Sequence, residues 1–416
     1  MRLYVEPKYR AAESALKRVQ RDPGGFAKVL LVGPRGGGKS TELRRISQLA
    51  KDDAIVVEID LDASGVSAAS VSAFDLLYVT SAALLRHTAE GTAETLFKEL
   101  AEAYAGKEAK KTLGPLAETL AGIATFATAA TAVAAGSGLL AGAAPLIGAA
   151  SATTAGALRL LARPTGVIAE TSPQGSALMR VSTKITREVR SQSDKPILVL
   201  LDGLEKMNGE AAERFRQMFV QTRLLADPTW SAVIAAPPCT LTETASALAF
   251  VPVTVWGFGP DDGARVVRAL QLRLQAAGLD IPRDVETGVL EYIAQMSGGV
   301  PNHAIKLMQE AVAAAEGKPR MGLSMAQEAV RWLAQQLAQG LTGEDLDALA
   351  AVDEEHHLRG DRASALFADG RVIAQPPSDE SDAPEFVVHP VLQRTVKVHG
   401  TRRAARDVPE TEPAEE

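Results

Sequence analysis

The chain is poor in the residues that hold small folds together. A single cysteine, Cys239, excludes an internal disulfide and suits a reducing compartment, where it reads as a small buried apolar residue. Aromatic residues are only 4% of the 416, against 46% hydrophobic overall, so the core must be built from Ala, Leu and Val. That composition suits helices packed closely on a parallel sheet. The net charge of −7 excludes a generally basic surface coating nucleic acid, although a local basic patch remains compatible with it. The opening residues, Met1 to Lys8, have no apolar run of the kind a secretory signal needs, so the expected location is the cytoplasm. The sequence contains no internal repeat.

Charge is missing altogether from Thr119 to Leu158, a stretch dominated by Ala, Gly, Thr and Leu and about twice the length of one membrane span. Gly136-Ser-Gly138 is its natural turn. Basic residues flank it, Lys107, Lys110 and Lys111 before and Arg159 and Arg163 after, as two cytoplasmic ends of a hairpin would require. Against insertion stand the small residues, Pro145, and the lack of Trp or Tyr at an interface. The competing readings are a soluble helical hairpin of small residues, packed on a neighbour or another subunit, and a poorly ordered insertion.

Against these absences stands one strong motif, Gly33-Pro-Arg-Gly-Gly-Gly38-Lys39-Ser40. Each fixed position of G-x-x-x-x-G-K-[ST] has a physical role. Gly33, Pro34, Arg35, Gly36, Gly37 and Gly38 form a tight turn that aims backbone N–H groups at phosphates. Lys39 would reach the β- and γ-phosphates, and the Ser40 hydroxyl would ligate Mg²⁺. The context agrees, with a β-branched-rich strand at 27–32 before the loop. Thr41 opens a helix at 41–50, whose positive end would face the phosphates.

A second half of the site lies far downstream. Lys195-Pro-Ile-Leu-Val-Leu-Leu-Asp202 has the apolar pattern of a buried parallel strand ending in a carboxylate. At the carboxyl edge of such a sheet Asp202 would hold Mg²⁺, directly or through water. Glu205 is the next carboxylate. It would either orient an attacking water or serve as a first-turn acid of the following helix. Further strands are expected at 54–60 and 230–236, and helices at 7–21, 71–85, 94–111 and 176–190, with a linker at 164–173. The 230–236 strand ends in alanine, where a polar residue would sense a γ-phosphate. Arg223 would be a finger toward a neighbouring subunit or a solvated helix-end residue. His356-His357 beside Glu354-Glu355 lacks further ligands at useful spacing and is not read as a metal site.

These pieces, GPRGGGKSTELRRI, ILVLLDGLEKM, SAVIAAPP and MSGGVPNHAIKLMQEA at 296–311, resemble in order the STAND branch of the AAA+-like P-loop ATPases, the NACHT- and NB-ARC-type signalling proteins. The resemblance implies an α/β fold, a parallel sheet with helices on both faces, followed by a helical lid and a winged-helix domain. It implies that Gly298, Gly299 and Pro301 open a lid helix near the nucleotide. Asn302 and His303 stand where an Arg is often found. It also implies ATP and Mg²⁺ as cofactors, and ATP is preferred to GTP because no N/T-K-x-D motif follows Asp202. The expected domains are a core at 1–258 with the apolar insertion at 112–173, a lid at 259–320, a winged-helix-like module at 321–400 and a disordered acidic tail at 401–416. The module is drawn from Gly340–Val352, Ala363–Leu366, Gly370–Ala374 and Glu385–Leu392.

The function so implied is a slow or bind-and-hold ATPase switch. Lys39, Asp202 and Glu205 would act on phosphate and water, and the output would be an oligomer and a separate partner in signalling or phage defence. One alternative makes the 119–158 hairpin a membrane-perturbing effector. Another makes the chain a DNA-handling ATPase using its winged helix. The scattered Arg359, Arg362 and Arg371, among many acids, favour an intramolecular or protein contact for that module instead.

Overall fold

The computed structural model describes residues 5, 10–22, 26–61, 71–105, 173–204, 229–236, 251–255, 258, 262–375 and 385–406. The apolar hairpin at 119–158, the linker before residue 173, Glu205, Arg223 and Cys239 lie outside them. By its contacts the chain falls into two compact units. One is Ala12–Leu31 with Ser40–Val253; the other is Met1–Ala11 with Val32–Lys39 and Thr254–Glu416. The loop segment Val32–Lys39 groups with Thr254–Glu416 in the second of these units.

Among the described residues the sheet has five strands: β1 (Lys28–Val32), β2 (Ile55–Asp60), β3 (Ile197–Asp202), β4 (Ser231–Ala236) and β5 (Val251–Thr254). Their order is β2-β3-β4-β1-β5. The β2–β3 and β3–β4 pairs are parallel, with Ile55 beside Ile197 and Leu198 beside Ser231. The Ala232 N–H donates to the Ala27 carbonyl (2.8 Å), joining the start of β4 to the start of β1, as parallel strands require. Every residue of β1 and β4 is buried, as are the first five of β3. Apolar runs with no alternation of polar residues are the mark of strands covered on both faces. The fold class is α/β.

Helices α1 (Ala11–Gln20) and α2 (Lys39–Ala50) flank this sheet region in sequence. In the sheet unit, the buried Glu42 carboxylate of α2 accepts from the Ala12 N–H (2.9 Å), satisfying one of the free amides at the start of α1. Helices α3 (Ala73–Leu84), α4 (Glu90–Ala105) and α5 (Pro173–Ser191) pack on one another. Ser72 and Asp75 form a reciprocal cap at the start of α3. A buried hydrogen bond between the Ser81 and Ser182 hydroxyls (2.9 Å) crosses from α3 to α5.

In the second unit α6 (Gly263–Ala276), the short α7 (Ile281–Asp284), α8 (Val289–Met296), α9 (Pro301–Ala314) and α10 (Leu323–Ala338) form a helical bundle. Helix α10 packs on α8 and α9. Its buried stripe of Met325, Ala326, Ala329, Val330, Leu333 and Leu337 follows helical spacing and needs that cover. The bundle thus runs past residue 320. Beyond it come α11 (Gly343–Glu355), α12 (Gly360–Ala368), an antiparallel pair β6 (Val372–Gln375) and β7 (Glu385–Val388), and α13 (Gln393–Arg406). Helix α13 continues through Arg406, six residues into the stretch assigned to a tail; the remainder of that tail lies outside the described residues. Among the described residues no helix is long and apolar enough to cross a membrane.

Candidate functional site

The phosphate loop leaves β1 and ends at the first turn of α2, which Lys39 opens. Two of its glycines are required by contact, and one of them by its backbone conformation as well. A Cβ at Gly33 would lie 2.6 Å from the Val255 carbonyl oxygen. The Val255 N–H in turn donates to the Val32 carbonyl (2.7 Å), so this approach is part of a backbone pairing. Gly36 has φ +79°, and a Cβ there would lie 2.6 Å from the Asn302 Cβ. Arg35 is exposed and Gly37 buried, while Gly38, Ser40 and Asp202 are half-buried. Pro34 is buried and Thr41 exposed.

Lys39 is 4% exposed, and its Nζ donates to the Gly33 (2.7 Å) and Pro34 (3.0 Å) carbonyls. The loop folds around its own cation. Charged donors of this kind each contribute about 1.5–3 kcal/mol, enough to fix the ammonium at the loop.

Asp202 ends β3, and one of its oxygens accepts from the Gly203 N–H (3.1 Å). Helix α2 begins after the carboxyl end of β1. Strand β4 alone separates β1 from β3 in the parallel sheet, so Ser40 and Asp202 belong to the same edge. Sequence reasoning passed over a second carboxylate there, because Asp60 ends β2 directly beside Asp202 in register. Its signal was weaker: a half-buried run, broken by the exposed Glu58, that closes in Asp. Among the described residues no cluster of three or more His, Cys, Asp or Glu is placed to hold a metal by itself. A hydroxyl and a carboxylate fit a Mg²⁺ whose remaining ligands are phosphate oxygens and water.

The lid residues read from the sequence come together with the loop. Gly298 and Gly299 both have positive φ, +61° and +74°. Pro301 is the first residue of α9, where its missing N–H costs nothing. The next residue, Asn302, donates its N–H to the Gly36 carbonyl (3.3 Å). A further contact was not anticipated. The Arg35 N–H donates to the Ala368 carbonyl at the end of α12 (3.2 Å). The phosphate loop is therefore tied by backbone to both α9 and α12.

A buried pair of histidines sits beside this junction. His303 Nδ1 lies 3.0 Å from His389 Nε2, joining α9 to the residue after β7, with the rings edge to face. Gly370, φ +75°, leaves room for the His303 ring, which a Cβ would approach to 3.1 Å. Burial, then the nearby Lys306 cation, pushes His303 down to about 4. Burial pushes His389 down further, with His303 adding to it and a backbone hydrogen bond with Ser297 opposing. Both rings are neutral at pH 7, and one donates to the other. The clue lay in Glu385-Phe-Val-Val-His-Pro-Val-Leu392, where a lone imidazole interrupts an apolar run.

The other polar candidates stay apart. His356, at φ +56°, has its ring near the Phe386 carbonyl (3.4 Å), and among the described residues no group of three or more His, Cys, Asp or Glu gathers around it or His357.

No family model and no curated protein matches the sequence. Among solved structures, the chain is similar to Cdc6p from Pyrobaculum aerophilum at 12% identity and a TM-score of 0.36, over 96% of each chain. It is also similar to the Thermotoga maritima RuvB Holliday junction branch migration motor, at 13% identity and a TM-score of 0.35, over 92% of this chain and 85% of that one. A point mutant of the same RuvB matches at 12% identity and a TM-score of 0.35, over 94% of this chain and 91% of that one.

Proposed function

We propose that the chain is a Mg-ATP-binding P-loop ATPase of AAA+ type and STAND-like character, acting as a nucleotide-dependent oligomerising switch. The observation that carries this reading is the double tether of the phosphate loop. Within one compact unit the loop's Gly36 carbonyl is held by the first turn of α9, and its Arg35 N–H by the last residue of α12. Backbone N–H groups of such a loop are the donors that phosphate uses. A triphosphate drawing on the Arg35 N–H competes with the Ala368 carbonyl, so occupancy of the loop reaches α12 directly.

The chemistry assigned to the chain's residues is modest. Lys39 supplies positive charge at the β- and γ-phosphates, and Ser40 and Asp202 hold the metal. Bound Mg²⁺ would neutralise phosphate charge. Ala235 and Ala236 end β4 without a polar group, which supports slow turnover or a bind-and-hold cycle. Glu205 is proposed as the residue that orients water. The two helices, hairpin and closing helix from α11 to α13 support a winged-helix-like reading of the C-terminal module. A signalling or phage-defence setting with a separate partner rests on the STAND resemblance.

The test is size-resolved mass measurement with and without ATP-Mg²⁺, on wild type and Lys39→Ala. The switch predicts an assembly that forms only with nucleotide and intact Lys39. A mass indifferent to both, in a chain that binds ATP by calorimetry, rejects oligomerisation and leaves a binding module.

A further inference from the structure

We infer that the exposed face of α13 is a docking strip for the phosphate backbone of double-stranded nucleic acid. This goes beyond the switch reading and does not depend on it. Helix α13 holds five Arg or Lys (Arg394, Lys397, Arg402, Arg403 and Arg406) and no acid, in a chain whose net charge is −7. From Arg394 to Arg406 the helix axis runs about 18 Å. Its first two turns line a shallow groove of about 420 Å³ with Pro390, Gln393, Arg394, Lys397, Val398 and Thr401. Arg394 and Lys397 are exposed and have no ion-pair partner among the described residues. The opposite face is anchored: Val396 is buried, and His399 Nε2 lies 2.9 Å from Asp347 of α11.

The arginines that the sequence offered for a DNA contact are committed elsewhere. Arg359 pairs with Glu355 (3.1 Å), and Arg362 pairs with Glu344 and Asp345. Arg371 donates to the Leu337 (2.9 Å) and Gln339 (2.8 Å) carbonyls. Those contacts stitch the module together, whereas Arg394 and Lys397 face outward.

The character of the strip selects among polyanions. A membrane surface calls for an apolar face to bury, and Val398 is the one large exposed apolar residue on the described part of the helix. Single strands are gripped by stacking on aromatics, and α13 contains none. Arginine predominates, whose planar fork suits phosphate oxygens. What remains is backbone contact without base reading, which a duplex offers at about one charge per 1.7 Å.

The test is fluorescence anisotropy of a labelled 20-base-pair DNA duplex of mixed sequence, titrated with the full chain from about 50 to 200 mM salt. Expected is binding that weakens steeply with salt. Arg394→Glu/Lys397→Glu should lower affinity at least tenfold and flatten the salt slope by about two units. Arg394→Gln/Lys397→Gln should give an intermediate loss, which guards against misfolding of the reversal. Absence of duplex binding overturns the inference, as does affinity indifferent to both variants. Binding seen only after removal of residues 407–416 also overturns it, because the acidic segment carrying Asp407, Glu410, Glu412, Glu415 and Glu416 would then be the occupant. Equal affinity for anionic vesicles overturns it too, since the strip would then be unselective charge.

Discussion

The strands of the sheet unit and the junction around the phosphate loop are held by opposite means. Strands β1, β3 and β4 are covered on both faces, and their stability comes from apolar area removed from water, about 25 cal/mol per Å². The junction rests on single backbone hydrogen bonds, glycine contacts and a pair of imidazoles. Burial of a strand depends on many atoms and changes little with conditions. The junction depends on a few directional groups, which pH or one methyl can disturb. A scaffold should be of the first kind and a moving part of the second.

The largest effect should therefore come from the scaffold. Leu200, in the middle of β3, is 2% exposed, and Leu200→Ala should cost about 3 kcal/mol through lost burial and the cavity left behind. Urea unfolding of the variant should show a lower midpoint with hardly altered slope. A cost below about 1 kcal/mol would mean that burial does not hold β3 as argued above, and the contrast between the two regions would fail.

How legible each region was follows from the same difference. An alternating run, Ile55 to Asp60 with Glu58 within it, marks β2 in the sequence, and a continuous apolar run ending in Asp202 marks β3, because hydrophobic burial leaves a trace in residue order. The loop at 33–40 was legible for another reason, since a tight turn between a buried strand and a helix leaves glycines at fixed positions. The Arg35–Ala368 and Asn302–Gly36 bonds left no trace, because backbone groups are the same in every residue. The stripe from Met325 to Leu337 shows a buried face in the sequence without saying what covers it. His303 and His389 stand 86 residues apart, and only the fold brings their rings together.

The next effect belongs to the junction. An unfolded chain takes up imidazole protons near pH 6.5. In the folded unit both His303 and His389 are held well below that value, chiefly by burial. The unfolded state thus binds more protons, so the stabilisation is complete above pH 6.5 and is lost as pH falls toward about 4. The loss should be on the order of 2 kcal/mol and confined to the C-terminal unit. His389→Phe removes one partner at similar volume and should flatten the profile of melting temperature between pH 6.5 and 4. A variant whose melting tracks wild type through that range would show that the imidazole pair does not govern acid sensitivity.

The smallest effect tests whether the loop's tether is local. Gly36→Ala places a methyl at φ +79° and against the Asn302 Cβ, so either the loop or the first turn of α9 must shift. The left-handed conformation alone costs a non-glycine residue about 1–2 kcal/mol. The strain should appear where the contact is, as roughly tenfold faster hydrogen exchange at the Asn302 amide, with the amides of β3 unchanged. Asn302→Gly in the same chain removes the opposing Cβ and should restore part of the protection, because the steric share of the cost disappears while the backbone share stays. Exchange rising equally in β3 and α9 would mean that the loop is held by the whole fold. In that case nucleotide on the loop would have no privileged route to α9 and α12, and the switch would need a different lever.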